Sequence, residues 1–404
     1  NIGFSGLYNK VTAMDETSGS CSSSTHLFLG SLSPLDEALS VHFRGPLKLL
    51  QFGVYYPASS SASASASASA AASANAKRAD EECEQHFHHQ HKRATAVELV
   101  TNTVYATAGA GAAAAVSGSG AAAATAAAAA LAAASGSAVA SAAASAAASA
   151  AVSGSGSAAA SGSASASASA GDWVRSSYYT PGNADNLVFL NNHGGSGSGV
   201  WSLAFGNSLS YANSDASGAS SSAVALEECT ISSNVEYAIF SGSKCASTDD
   251  CGFYRTGSVA HHGFGGAEKI FVFEFEMPLD SGSNAAINGD MPAIWMLNAQ
   301  IPRTLQYGDS LCSCWTSGCG EFDIFEILSA GSDKLISHLH DKQGGSGGGS
   351  SDYFARPTSG SMKAAVIFTG SNIHIQTVTD DFGTTLSSST VAKWVAVSGS
   401  SADI

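Results

Sequence analysis

Three carboxylates fall within six residues in the run Glu321-Phe322-Asp323-Ile324-Phe325-Glu326, with large apolar residues between them. This pattern predicts a β-strand with one acidic face and one buried face. A period of two puts Glu321 and Asp323 on the same side. A regular strand would aim Glu326 the other way, into the core, where an unpaired carboxylate is costly. One extra residue between Asp323 and Glu326, a β-bulge, restores the parity and turns all three onto one surface. Binding a neutral ligand does not need that much negative charge. Acid/base and nucleophilic chemistry on a glycosidic bond suits it.

A retaining glycosidase holds its two working carboxyls about 5–5.5 Å apart, one ionised and one protonated. Residues four or five apart on a strand have Cα atoms roughly 13–16 Å apart, at about 3.3 Å per residue. The bulge, the sheet's curvature and two long Glu side chains must close that gap. The shorter Asp323 suits a hydrogen bond to Glu321, and its charge would raise the acid's pKa. Phe322, Ile324, Phe325 and Ile327 predict a central strand whose reverse face is buried.

The run in its Gly320-Glu321-Phe322-Asp323-Ile324-Phe325-Glu326 setting resembles the active-site strand of glycoside hydrolase family 16 in its bulged, laminarinase-like form. Met291-Pro292-Ala293-Ile294-Trp295-Met296-Leu297 resembles a second strand of those enzymes, and Ser337-His338-Leu339-His340 sits where they often carry a His facing the cleft. The wording of 251–326 is closer still to the fungal Target-of-SBF-type cell-wall proteins. That resemblance covers about 171–397, and the N-terminal segment is similar to the glycine-rich N-terminal domain of the same group.

The resemblance implies a concanavalin A-like β-sandwich jelly roll with a concave, sugar-holding face. It implies Glu321 as nucleophile, Glu326 as general acid/base and Asp323 between them. Sugar rings stack on aromatics, so Trp295 is expected in the subsite beside the cleaved bond and Trp315 in the loop before Glu321. His338 and His340 share a face, and His340 is the better placed to contact the carboxylates. Arg303 and Tyr307 are expected to border the cleft, with Trp173, Trp201 and 193–199 at its rim. The stretch from Asn298 to Cys319 is longer and richer in Cys than in typical laminarinases and could block or reshape subsites on one side. Many relatives hold a structural Ca²⁺, but no ligand set can be assigned in this sequence, and no organic cofactor is expected.

These residues must be positioned by the elements around them. From Trp173 onward, short β-like runs alternate with Gly, Ser, Asn and Asp turns, and no convincing amphipathic helix is visible, which predicts an all-β sandwich. Residues 1–57 carry four further β-like runs and read as a small N-terminal β-rich domain, extended to Cys83 if Cys21 pairs with it. Residues 58–170 read as a disordered Ser/Ala/Gly-rich linker. It contains the dibasic pairs Lys77-Arg78 and Lys92-Arg93, read as processing sites, and a His-rich run at 84–91 that could bind a metal. Residues 171–404 form the expected hydrolase domain.

The chain of 404 residues has a net charge of −15 and only 17 basic residues, which argues against nucleic acid as a partner. A neutral polysaccharide is compatible with an acidic surface. No stretch reads as membrane-spanning, and the first residue, Asn1, suggests that a leader has been removed. Eight cysteines suggest a secreted, oxidised protein. For Cys312, Cys314 and Cys319, a zinc site would need a fourth ligand and reduced thiols, so disulfides bracing the loop before Glu321 are expected.

These readings converge on a monomeric, secreted fungal cell-wall endo-β-1,3-glucanase that retains anomeric configuration, with β-1,3-glucan as its partner. Two rivals are a transglycosylase of the same fold and a wall protein that binds glucan without cleaving it.

Overall fold

The computed structural model describes residues 5–58, 169, 171–280, 288–340 and 353–399. A hairpin of β1 (Gly6–Met14) and β2 (Cys21–Phe28) comes first. Then follow β3 (Leu39–Arg44), β4 (Lys48–Pro57), β5 (Trp173–Thr180), β6 (Leu187–Asn191) and β7 (Glu236–Ser241). The remaining long strands are β8 (Lys269–Glu276), β9 (Ala293–Asn298), β10 (Glu321–Glu326), β11 (Lys334–His340), β12 (Met362–Thr369) and β13 (Asn372–Thr377). One sheet runs Ala219–Ser220, Ser210–Ala212, β6, β7, β3, β9, β10, β11, Phe354–Ala355. The other runs β13, β12, β8, β4, β5, Thr385–Leu386.

The core lies between these two sheets, as expected for an all-β sandwich. Alternate residues of each strand enter it. Val41 and Phe43 of β3, Ile294 and Met296 of β9, and Phe271 and Phe273 of β8 are all buried in one cluster. The intervening residues Ile270 and Val272 face outward, where Val391 and Trp394 of the helix Ser388–Val395 cover them. This helix was not visible in the sequence. Its eight residues are too few for a period of 3.6 to stand out. It is stopped locally at its start, where the Ser387 side chain accepts the Thr390 N–H.

Residues 1–57 do not stand apart as a small domain. β3 lies between β7 and β9, and β4 lies between β8 and β5, so both are interior strands of the main sheets. A segment this short cannot bury enough surface alone. Inserted here, every residue of β3 is buried. Cys21 is bonded to Cys312, not to Cys83, with a Cα–Cα distance of 5.3 Å. Cys83, the dibasic pairs and the His-rich run lie outside the described residues. Among the described residues no helix is long and apolar enough to cross a membrane.

Candidate functional site

Gly320 leads the chain into β10 with φ +102°, a backbone shape that L side chains rarely adopt, and side-chain atoms of Pro34 and Leu35 lie 3.1 Å from where a Cβ would stand. The ladder of β10 then breaks. Asp323 pairs with Trp295 of β9 and Phe325 with Ile294, so Ile324 has no partner on that side. Toward β11, Asp323 pairs with His338 and Glu326 with Ile336, so two residues of β10 face Ser337 alone. This is a β-bulge. Its consequence is that Ile324 and Phe325 are both fully buried in the core while Glu321, Asp323 and Glu326 share the opposite face. The bulge leaves the Ile324 carbonyl outside the ladder, and the Ser337 hydroxyl donates to it at 2.6 Å.

Each carboxylate is held by a different element. The indole N–H of Trp315 donates to Glu321. His340 Nε2 lies 2.9 Å from Asp323 Oδ2. Arg44 of β3 reaches Glu326 with Nη2 at 3.3 Å, while its Nε donates to the Met291 carbonyl at 2.8 Å. Arg44 Nη1 also lies 3.9 Å from Glu236 of β7, and the Tyr307 hydroxyl donates to that same Glu236. Ligand atoms of Asp323, Glu326 and His338 lie within 4.8 Å of one another, a spacing that could also chelate a divalent cation. At Cys245, Cys251 and His262 the two sulfurs are joined in a disulfide and cannot act as thiolate ligands.

The electrostatics follow from burial. Asp323 is pushed up to about 8, first by burial, then by the charge of Glu321. A protonated His340 would pull Asp323 down, but at 6% exposure, between two glutamates, burial wins. His340 is pushed up to about 9, chiefly by its hydrogen bond to Asp323. His42, buried on β3, is driven down to about 3 by desolvation, so it is neutral. Its ring stacks on Trp295 at 5.2 Å, and its Nε2 lies 2.8 Å from Ser40 Oγ.

The other expected residues fall into two groups. Trp315 is 41% exposed beside Glu321, and its ring is open to a ligand. Tyr307 is equally exposed and reaches the Glu326 end of the site through Glu236 and Arg44. His338 and His340 flank the trio on β11. Trp295 is on the carboxylate side of β9 but is only 2% exposed, packed with Tyr8 and Phe28 of the hairpin. It offers no free ring face for stacking. Arg303 is not at the cleft border. It is buried and donates to the His261 carbonyl at 3.0 Å. The residues that sequence reasoning missed are Arg44, His42, Glu236 and Ser337. The available signal was the alternation Ser40-Val41-His42-Phe43-Arg44, whose polar side also reads as an ordinary solvated face.

A two-sheet β-sandwich with three carboxylates gathered on one sheet face defines the class of protein: an all-β sandwich with an acidic cluster on the outer face of one sheet. The family model "Cell wall protein YJL171C/Tos1, C-terminal" matches residues 171–394, and its N-terminal counterpart matches 1–57. The chain belongs to this cell-wall protein family, in keeping with the location expected from its sequence. It is 53% identical over its whole length to a Candida albicans protein named "Probable circularly permuted 1,3-beta-glucanase TOS1", covering 91% of that protein. A Saccharomyces cerevisiae protein of the same name is 50% identical over the whole chain and 90% of its own length. An Arthroderma benhamiae protein named "Probable circularly permuted 1,3-beta-glucanase" is 42% identical over 57% of the chain and 54% of its own length. No solved structure matches the chain.

Proposed function

We propose that this chain is a β-1,3-glucan hydrolase of the cell wall that works by double displacement in the manner of glycoside hydrolase family 16. The observation that carries this reading is the bulge at Ile324, which gathers Glu321, Asp323 and Glu326 on one face. The names of the relatives agree with it. Their description as circularly permuted also fits a sandwich whose β3 and β4 come from the N-terminal segment.

In this reading Glu321 attacks the anomeric carbon as the glycosidic C–O bond breaks, and Glu326 gives its proton to the departing oxygen. Water then attacks the same carbon, Glu326 takes its proton, and the Glu321 carboxylate is released. Two inversions at one carbon give net retention. Trp315 orients Glu321 and Arg44 orients Glu326, so both groups are held before substrate arrives. Asp323, paired with His340 between them, keeps the proton inventory of the cluster high near neutral pH.

The test is release of reducing sugar from laminarin by the wild type and by Glu321→Gln and Glu326→Gln, with the anomer of the first product read by NMR. Wild-type release of the β-anomer, with both variants reduced by three or more orders of magnitude, is the expected result. Equal behaviour of all three proteins would remove the catalytic assignment.

A further inference from the structure

We propose that Trp201 is a second holding point for the polysaccharide, an exposed aromatic platform that retains β-1,3-glucan away from the reacting strand. This rests on the reading of β-1,3-glucan as the polymer, but not on the roles of Glu321 and Glu326. Trp201 opens a short hairpin, Trp201–Ser202 paired with Gly206–Asn207, in the connection between β6 and Ser210–Ala212. It is 60% exposed, and Leu203 at the tip of the same hairpin is 89% exposed. Two large apolar residues this open on one tip mark a contact surface. In the sheet β6 stands four strands from β10, roughly 19 Å at about 4.8 Å per strand.

The tip is fixed from below. Arg255, only 2% exposed, donates through Nη1 to Ser202 Oγ at 3.1 Å and to the Gly206 carbonyl at 3.0 Å. Phe205 is buried in a cluster with Leu305 and Cys312. The Ser208 N–H donates to the Val200 carbonyl at 2.8 Å. At Gly195, φ +87°, a Cβ would stand 2.7 Å from the Cβ of Trp201, so glycine lets the turn before the hairpin lie against it. A buried arginine and a buried phenylalanine thus hold in place an indole that is itself open to solvent. A ring fixed beforehand loses little freedom on binding. The surroundings select the ligand. Residues 192–213 contain no Asp, Glu, Lys or Arg, although the chain as a whole carries a net charge of −15. The charge of Arg255 beneath is met by Glu16 at 3.7 Å. Asn192, His193 and Ser196 are exposed in the same connection, and Asn and Ser side chains both donate to and accept from hydroxyls. A charged partner finds no complement there. A neutral, hydroxyl-rich polymer with apolar CH faces finds one, in a chain that belongs to a cell-wall family.

The experiment measures depletion of the full chain onto insoluble β-1,3-glucan, in a Glu321→Gln background so that the matrix is not digested. The proposal expects about fivefold weaker retention when Trp201→Ala is added, and recovery of most of it with Trp201→Tyr. In the chain with Glu321 intact, Trp201→Ala should lower kcat/KM on insoluble glucan by about threefold or more beyond its effect on dinitrophenyl laminaribioside, a substrate too short to reach both places. Equal retention with and without Trp201→Ala, or equal losses on the two substrates, overturns the proposal. Trp201-dependent flotation with phosphatidylcholine vesicles, without Trp201-dependent retention on glucan, also overturns it and makes the tip a membrane contact. Laminarin release by the wild type against Glu321→Gln judges the catalytic reading separately, and its failure leaves the retention comparison decisive for Trp201.

Discussion

Arg44 Nη2 and Glu326 Oε1 lie 3.3 Å apart although 282 residues separate them in the chain. The contact exists because β3 enters the sheet next to β9 and pairs Arg44 with both Ala293 and Glu236. It makes the N-terminal segment part of the carboxylate site. It also places one guanidinium between two acids, with Met291 and Glu326 fixing its orientation.

Replacing Arg44 tests that role. Arg44→Met strands Glu236 and Glu326 beside a buried gap and should cost about 3–5 kcal/mol of stability. Its kinetic signature is more specific. On laminarin the turnover should fall about a hundredfold. On a dinitrophenyl glycoside, whose leaving group needs no proton, the loss should be under tenfold. A purely structural arginine would lower both rates alike.

The pair Asp323–His340 sets a pH dependence. Both folded values are displaced upward, to about 8 and about 9. A raised His contributes stability that is whole below its ordinary value of about 6.5 and is lost as pH climbs through the folded one. A raised Asp likewise loses stability upward from about 3.9. The melting temperature of the wild type should therefore decline from roughly pH 4 to pH 9, most steeply between about 6.5 and 8 where the two losses overlap. His340→Asn should flatten the upper part of that decline in a series of thermal melts. An unchanged slope would show that the pair is not coupled to folding.

Ser337 supports the bulge. Its hydroxyl is the donor to the Ile324 carbonyl, which the ladder leaves out. Ser337→Ala should destabilise the sandwich by about 1–3 kcal/mol, the cost of a buried acceptor without a donor. The same change should lower activity more than stability explains, because Glu326 takes its position from the bulge. Denaturant melts alongside laminarin kinetics separate the two effects.

The hairpin is latched by Cys21–Cys312 and by a partly buried carboxylate. Glu37 accepts from Tyr8 and Asn298, each at 2.7 Å, and lies 3.0 Å from His26. Reduction, or Cys21→Ser, should cost about 2–5 kcal/mol and expose 5–28 to limited proteolysis while the two sheets persist. Non-reducing peptide mapping of the wild type should yield the Cys21–Cys312 cross-link. Recovery of Cys21 as a free thiol would contradict the arrangement.

Much of the site's floor was legible in the sequence. The parity of Glu321, Asp323 and Glu326 could be read from six residues, and so could the need for one extra residue among them. The shared face of His338 and His340 was readable from alternation, their nearness to the acids came from the family resemblance, and the disulfide bracing before Glu321 was readable from the cysteines themselves. The parity and the alternation are local, set by a period of two and by a few peptide units. The assignment of Arg303 to the cleft border failed for a different reason. It rested on a loop shared with the fungal group, and the structure instead buries Arg303 in the short helix Gln300–Thr304.

The chain's own order of residues determined that β10 would present acids on one side and hydrophobes on the other, because side-chain alternation is a property of the strand itself. Tertiary structure decided which strands stand beside it and what lies over it. Arg44 reaches Glu326, Trp295 is roofed by Tyr8 and Phe28, and Cys21 finds Cys312, because burying the apolar faces of 39–57 requires the two large sheets. Such contacts depend on packing between distant segments, and no local pattern encodes them.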